Sequence, residues 1–202
     1  MTTGYCMSRR DLPGKNGIMM FFMITMFFGG GMIPTYLLIR GLGMLNNPLV
    51  MIIPGAMGVY TMIVVKTFVQ NSIPGELLEA ATIDGCSDIG YYLKIVLPLS
   101  SAILAVQTLN YGVGHWNAFF NALIYLNNQA LYPLTVFLRE ILLSSQIDPS
   151  TLEDPEAQLR IADAAAQIKY ALIVVTLVPV IMVYPFVQKH FVKGVMIGSV
   201  KG

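Results

Sequence analysis

Gln107, Asn110, Gly114, Asn117 and Asn121 recur at steps of three, four, three and four residues, so they fall on one face of a single helix. Carboxamides donate and accept hydrogen bonds without titrating, so this row suits polar recognition and not proton transfer or nucleophilic attack. In hydrocarbon such a row is costly unless it meets partner helices or water. It therefore either lines a polar path or hydrogen-bonds neighbouring helices. No nucleophile and base are spaced for catalysis, no His, Cys, Asp and Glu set has metal-ligand spacing, and no GxxxxGK[ST] phosphate loop occurs. The sequence thus predicts no enzyme, no metal and no bound cofactor, and any driving energy must come from a partner. His115 stands alone and reads as packed, His190 as interfacial, and Cys6 and Cys86 form no disulfide framework.

The elements that must position this row are those of a membrane protein. Of 202 residues, 55% are hydrophobic and only 11% charged, against about 25% charged in soluble domains. A net charge of +1 points to no nucleic acid. A spanning helix needs about 20 apolar residues, and runs at Ile18–Ile39, Leu49–Val69, Leu99–Leu126 and Tyr170–Val187 predict an all-α, polytopic bundle of four spans. Gly29, Gly30, Gly31 and Pro34 interrupt the first run, and Pro54, Gly55 and Gly58 the second. Asn46-Asn47-Pro48 reads as a tight turn, and the opening residues before Ile18 as a short basic loop with no secretory signal. Eight of the twelve Lys and Arg residues fall on the side holding both termini, which the positive-inside rule places in the cytosol. The other side holds the loop Asn127–Lys169, with an interfacial amphipathic segment at Leu131–Leu143 entered by Tyr132 and Pro133, then an acidic stretch at Asp148, Glu153, Asp154 and Glu156.

Between the second and third runs lies Glu76–Pro98, a polar-and-apolar segment. Pro74 suits a helix start, Glu76 and Glu79 its positive end, and Asp84-Gly85 a corner from which Ser87 caps a second short helix. Leu78, Ala81, Gly85 and Ile89 would form one face of small and aliphatic side chains. Glu79-Ala80-Ala81, Gly85, Ile95, Leu97 and Pro98 stand at fixed offsets in this helix–corner–helix.

That spacing resembles the cytoplasmic loop of the membrane subunits of bacterial ABC importers. The likeness extends to Met32–Asn47, Ser72–Gly85, Gly112–Asn128 and Lys193–Gly202, and is similar to the carbohydrate branch, near the second permease of maltose-type systems and the oligosaccharide and polysaccharide permeases. The resemblance implies a permease subunit whose loop 72–98 docks on an ATP-binding subunit dimer through Glu79, Ala80, Ala81, Asp84, Gly85, Ile95, Leu97 and Pro98. ATP is bound by that partner and not by this chain. It further implies a second homologous permease, an extracytoplasmic solute-binding protein that the outer loop could contact, and a cell-membrane, multi-pass location.

On this reading the amide row becomes the sugar path. Gln107, Asn110, Gly114, Asn117 and Asn121 would meet hydroxyls, and Tyr111 or Trp116 the apolar face of a pyranose ring, although Trp116 lies off the row and equally fits helix packing. The ending Gly198, Ser199 and Lys201 resembles a tail reaching between the two ATPase subunits. Family members usually carry two further spans before the equivalent of Arg9-Arg10, so residues 1–188 would be an N-terminally incomplete transmembrane domain and 189–202 a cytosolic tail. The alternatives are a permease of the same superfamily for a non-sugar solute and a truncated, non-transporting membrane subunit.

Overall fold

The computed structural model of the protein describes residues 1–144 and 155–199, with backbone alone at 155–159, 161, 162, 186, 187 and 189–199. Every regular element among the described residues is helical. In chain order these are α1 (Thr2–Ser8), α2 (Lys15–Phe27), α3 (Met32–Gly41), α4 (Leu49–Ile52), α5 (Val59–Ser72), α6 (Glu76–Ile83) and α7 (Asp88–Tyr91). A π-helical turn, Tyr92–Val96, carries α7 into α8 (Leu97–Leu99), followed by α9 (Ser101–Trp116), α10 (Phe119–Tyr125), α11 (Leu134–Ser144) and α12 (Pro155–Ser199). Two compact units result: Met1–Leu37, Pro54–Asn110 and Phe186–Gly202 in one, Leu38–Ile53 and Tyr111–Pro185 in the other.

Glycine and proline decide where the apolar runs stop being one helix. Phe28 turns extended, Gly31 takes a φ of +82°, and α3 leaves α2 at 116°. Pro34 then falls in the first turn of α3, where its missing N–H costs nothing. The second run breaks across residues 53–58, leaving α4 only four residues long. The third breaks at Asn117-Ala118, after a bend of 81° between Asp88–Leu99 and Ser101–Trp116. Only Asp163–Pro185 within α12 is, among the described residues, a helix that could cross a membrane alone. The two bent pairs raise the number to three if each is one crossing. Three of the four expected spans are therefore broken rods. None of the apolar window in α12 is buried, so its solvent is hydrocarbon or a partner subunit.

The first unit is built where α1 crosses α5. A Cβ on Gly4 would lie 2.5 Å from Val65 Cγ1, so only glycine lets the two backbones approach this closely. Tyr5, Val65, Val69, Ile73, Ala81, Tyr91, Val96 and Ile103 make its core. The opening residues, expected to be a loop, are thus a helix with Gly4, Tyr5, Met7 and Ser8 buried. Burial of Tyr5 and Met7 supplies the ordering free energy that so short a helix lacks on its own.

In the second unit, Asn46 is the clasp. Its backbone is left-handed (φ 56°), its N–H donates to Tyr125 O at 2.8 Å, and its Oδ1 accepts from the N–H groups of Asn127 (3.1 Å) and Asn128 (2.9 Å). Asn47 Oδ1 accepts from Leu49 N–H at 3.0 Å, so the expected turn is present. The amphipathic segment is α11, entered by Tyr132 and Pro133 as expected, with Arg139 over the Phe119 ring at 4.9 Å. Two parts of the outer loop differ. Residues 155–169, expected to be irregular, are the first turns of α12. Asp148, Glu153 and Asp154 lie outside the described residues, as does the side chain of Glu156.

Candidate docking corner and polar row

The loop from Ser72 to Pro98 is a short helix, a glycine corner and a second short helix. Glu76 and Glu79 occupy the first turn of α6, where its unpaired N–H groups favour negative charge. The helix ends in a Schellman cap: Gly85 N–H donates to Thr82 O at 3.1 Å and Cys86 N–H to Ala81 O at 2.9 Å, with Gly85 at φ +70°. Ser87 then caps α7, its Oγ accepting from Gly90 N–H at 3.1 Å. These are the corner and cap that the residue types predict.

Burial sorts the expected docking residues into two groups. Glu79, Ala80, Asp84, Gly85 and Pro98 are exposed, while Ala81 belongs to the core and Ile95 packs against it; Leu97 is half-buried. Ala81 and Ile95 therefore anchor the loop and do not form its outer surface. The expected face of Leu78, Ala81, Gly85 and Ile89 does not exist as one stripe, because the corner rotates Ile89 away. Instead Ile83 (86% exposed) and Ile89 (73% exposed) flank Asp84-Gly85 and stand in the open. Sequence reasoning missed Ile83, although an isoleucine next to a corner that ends its helix cannot point back at the core of that helix. Glu79 forms no ion pair among the described residues.

The amide row is likewise divided. Gln107, Asn110 and Gly114 lie on α9 with Tyr111 and Trp116, Asn117 sits in the break, and Asn121 is on α10. Asn110, Gly114, Asn117 and Asn121 are exposed, whereas Gln107 is buried. Gln107 Oε1 and Trp116 Nε1 are buried with no hydrogen-bond partner in the chain. An unmet buried polar atom costs about 1–3 kcal/mol, so both groups are fit for an acceptor or donor from outside the chain. The break at Asn117-Ala118 means that Asn121 does not continue the α9 face. His115 is exposed and not packed, and no metal-ligand cluster occurs among the described residues. Of the tail residues, Gly198 and Ser199 continue the backbone of α12, and Lys201 lies outside the described residues.

Residues 13–197 match the family described as binding-protein-dependent transport system inner membrane component. The chain belongs to that family. Two relatives of this inner membrane component come from Bacillus subtilis. The polygalacturonan/rhamnogalacturonan transport system permease protein YtcP is 44% identical over 98% of this chain and 68% of its own length. Protein LplC is 42% identical over 100% and 67%. A crystal structure of a bacterial ABC transporter involved in the import of the acidic polysaccharide alginate is similar at a TM-score of 0.79 and 30% identity, over 93% of this chain and 66% of that one. The chain thus spans about two thirds of the length of these relatives. The inner membrane component is a transport permease and not an enzyme, as its relatives are.

Proposed function

We propose that this inner membrane component is the permease subunit of an ATP-driven carbohydrate importer, coupled to its ATPase through the loop 72–98. The observation that carries the coupling is the corner: Asp84-Gly85 between exposed Ile83 and Ile89, with Ala81 and Ile95 rooted in the core behind it. Seating one isoleucine in a pocket stabilises the contact by about 1.5–3 kcal/mol, and Glu79 is placed to meet a basic residue of the ATPase. ATP binds that partner, a dimer, and its closure moves the loop. A second homologous permease completes the path, an extracytoplasmic binding protein delivers solute, and the unmet polar atoms of Gln107 and Trp116 belong with the interior of that assembly. Both termini and the loop face the cytosol in this arrangement. The four apolar runs cross the bilayer, three as broken helices, which membranes tolerate where the break is buried in protein or lines a cavity.

The relatives named for polygalacturonan, rhamnogalacturonan and alginate support a polysaccharide-derived solute. Amide rows suit its hydroxyl groups. Alternating access then requires that the solute and ATP each bind one of two states more tightly than the other. The test is uptake of labelled oligogalacturonides by cells with and without the gene, paired with cross-linking from Cys86. Uptake that depends on the gene and a cross-link to an ATPase are expected. Gene-dependent uptake of amino acids or ions in place of oligosaccharides would refute the sugar reading, and a Cys86 that reaches only extracytoplasmic reagents would refute the docking reading.

A further inference from the structure

We propose that Arg9 is a positioning residue that ties the docking corner to α5, so that movement of α7 is passed to this membrane helix through α1. The inference rests on the docking reading and adds the route by which the loop acts. Arg9 Nη1 donates to Asp88 Oδ1 at 2.8 Å and to Tyr5 Oη at 3.1 Å, while Nε donates to Asp11 Oδ1 at 2.7 Å and Nη2 pairs with Asp11 Oδ2. The Arg9 side chain is 17% exposed and that of Asp88 76%, so Arg9 is the fixed member and Asp88 the one presented to it. Asp88 opens α7, the helix that leaves the glycine corner. A planar guanidinium fork holds two carboxylates at once, which a lysine ammonium cannot reproduce.

The other end of this tie is equally defined. Gly4 seats α1 on Val65 of α5 with no room for a Cβ. Ser8 O accepts from Gln70 Nε2 of α5 at 3.2 Å, and the carbonyls of Ser8 and Arg9 both accept from Lys15 Nζ (3.3 and 2.7 Å). Tyr5 stacks on Tyr92 with ring centroids 5.0 Å apart, and Tyr92 Oη lies 3.2 Å from Thr2 Oγ1. One side of α1 therefore grips α5 and the other grips α7 and the π turn. A displacement of α7 reaches α5 across two close contacts in series, with Arg9 as the polar one.

The experiment uses the assembled importer and ATP as the probe, so it does not depend on knowing the solute. A Lys66→Cys reporter in α5, in a background lacking Cys6 and Cys86, is labelled with maleimide with and without ATP and vanadate. In separate samples that retain Cys86, its cross-link to the ATPase is read. ATP is expected to change the labelling rate. Arg9→Ala and Asp88→Asn should each reduce that change about threefold, the size of one exposed charge pair. The double variant should be no worse than either alone, and the Cys86 cross-link should persist in all three. If Arg9→Ala fails to insert, Asp88→Asn at its exposed position carries the same test. An ATP-dependent change that survives Asp88→Asn undiminished, multiplicative loss in the double variant, or no ATP response at Lys66→Cys in the unaltered importer overturns the inference. A missing Cys86 cross-link in the unaltered importer instead overturns the docking reading.

Discussion

Replacing Gly85 by alanine and, separately, by asparagine separates two reasons for a glycine at the corner. The residue sits at φ +70°, and a Cβ built there meets nothing within 4 Å. Within the chain, the cost of alanine is therefore conformational alone, about 1–2 kcal/mol for an L-residue in the left-handed region. Asparagine visits that region readily and should cost much less. The Schellman bonds from Gly85 N–H to Thr82 O and from Cys86 N–H to Ala81 O report the difference. At about 1.4 kcal/mol per tenfold, amide exchange at 85 and 86 should quicken about 5- to 30-fold in Gly85→Ala and only a few-fold in Gly85→Asn. Solute moved per ATP hydrolysed reads the second reason. If a partner surface closes on the corner, Gly85→Asn should lower that ratio although its loop stays folded. Unchanged exchange in Gly85→Ala would refute the left-handed cap, and normal transport by Gly85→Asn would refute the close approach of a partner.

Other positions make their own tests. Gly4→Ala forces α1 off α5 and should destabilise the protein by about 1–3 kcal/mol, read as a lower Tm in detergent; an unchanged Tm would refute the crossing. Asn46→Gly keeps the left-handed backbone but removes the acceptor for Asn127 and Asn128. Exchange at those two amides should rise, with Asn46→Asp restoring protection. The Arg9 guanidinium holds the Asp11 carboxyl down to about 2. A depressed acid contributes stability above the ordinary carboxylate range of about 4 and loses it as pH falls through its folded value. The Tm difference between the unaltered protein and Asp11→Asn should therefore be full at pH 6 and vanish toward pH 2, and a difference that grows in acid would refute the pairing.

What could be read from the residue types was local. Asp84-Gly85, Ser87 and Asn46-Asn47-Pro48 predict a cap, a second cap and a turn because each depends on a backbone geometry that only a few residues supply. The amphipathic period of α11 carried through for the same reason, since it needs one interface and no partner. What could not be read depends on contacts distant in sequence. The helix α1 follows from Gly4 meeting Val65 some sixty residues later, and the inward turn of Ala81 and Ile95 from a core assembled by α1 and α5. Hydropathy over a window of about 19 residues also averages across Gly31 and residues 53–58, so it marks continuous spans where the backbone bends. The family likeness, by contrast, was carried by Glu79, Gly85 and Pro98 at their spacing, and the match over residues 13–197 bears it out.

The π turn at Tyr92–Val96 has a geometrical consequence of its own. On an α-helix, positions 91 and 96 would point about 140° apart, yet Tyr91 and Val96 are both buried in the same core. The widened ring works as a phase shifter between the corner and the helix after it. One residue is spent turning the screw without advancing the pattern, and the sequence Val96, Ser100, Ile103, Gln107 then resumes an inward-facing rhythm. Deleting a single residue there would leave the composition almost untouched and re-index everything downstream, carrying Gln107 to the opposite side of its helix. The orientation of the polar row is therefore set by an irregularity some ten residues upstream, which makes the insertion in the coil as consequential as the amides it aims.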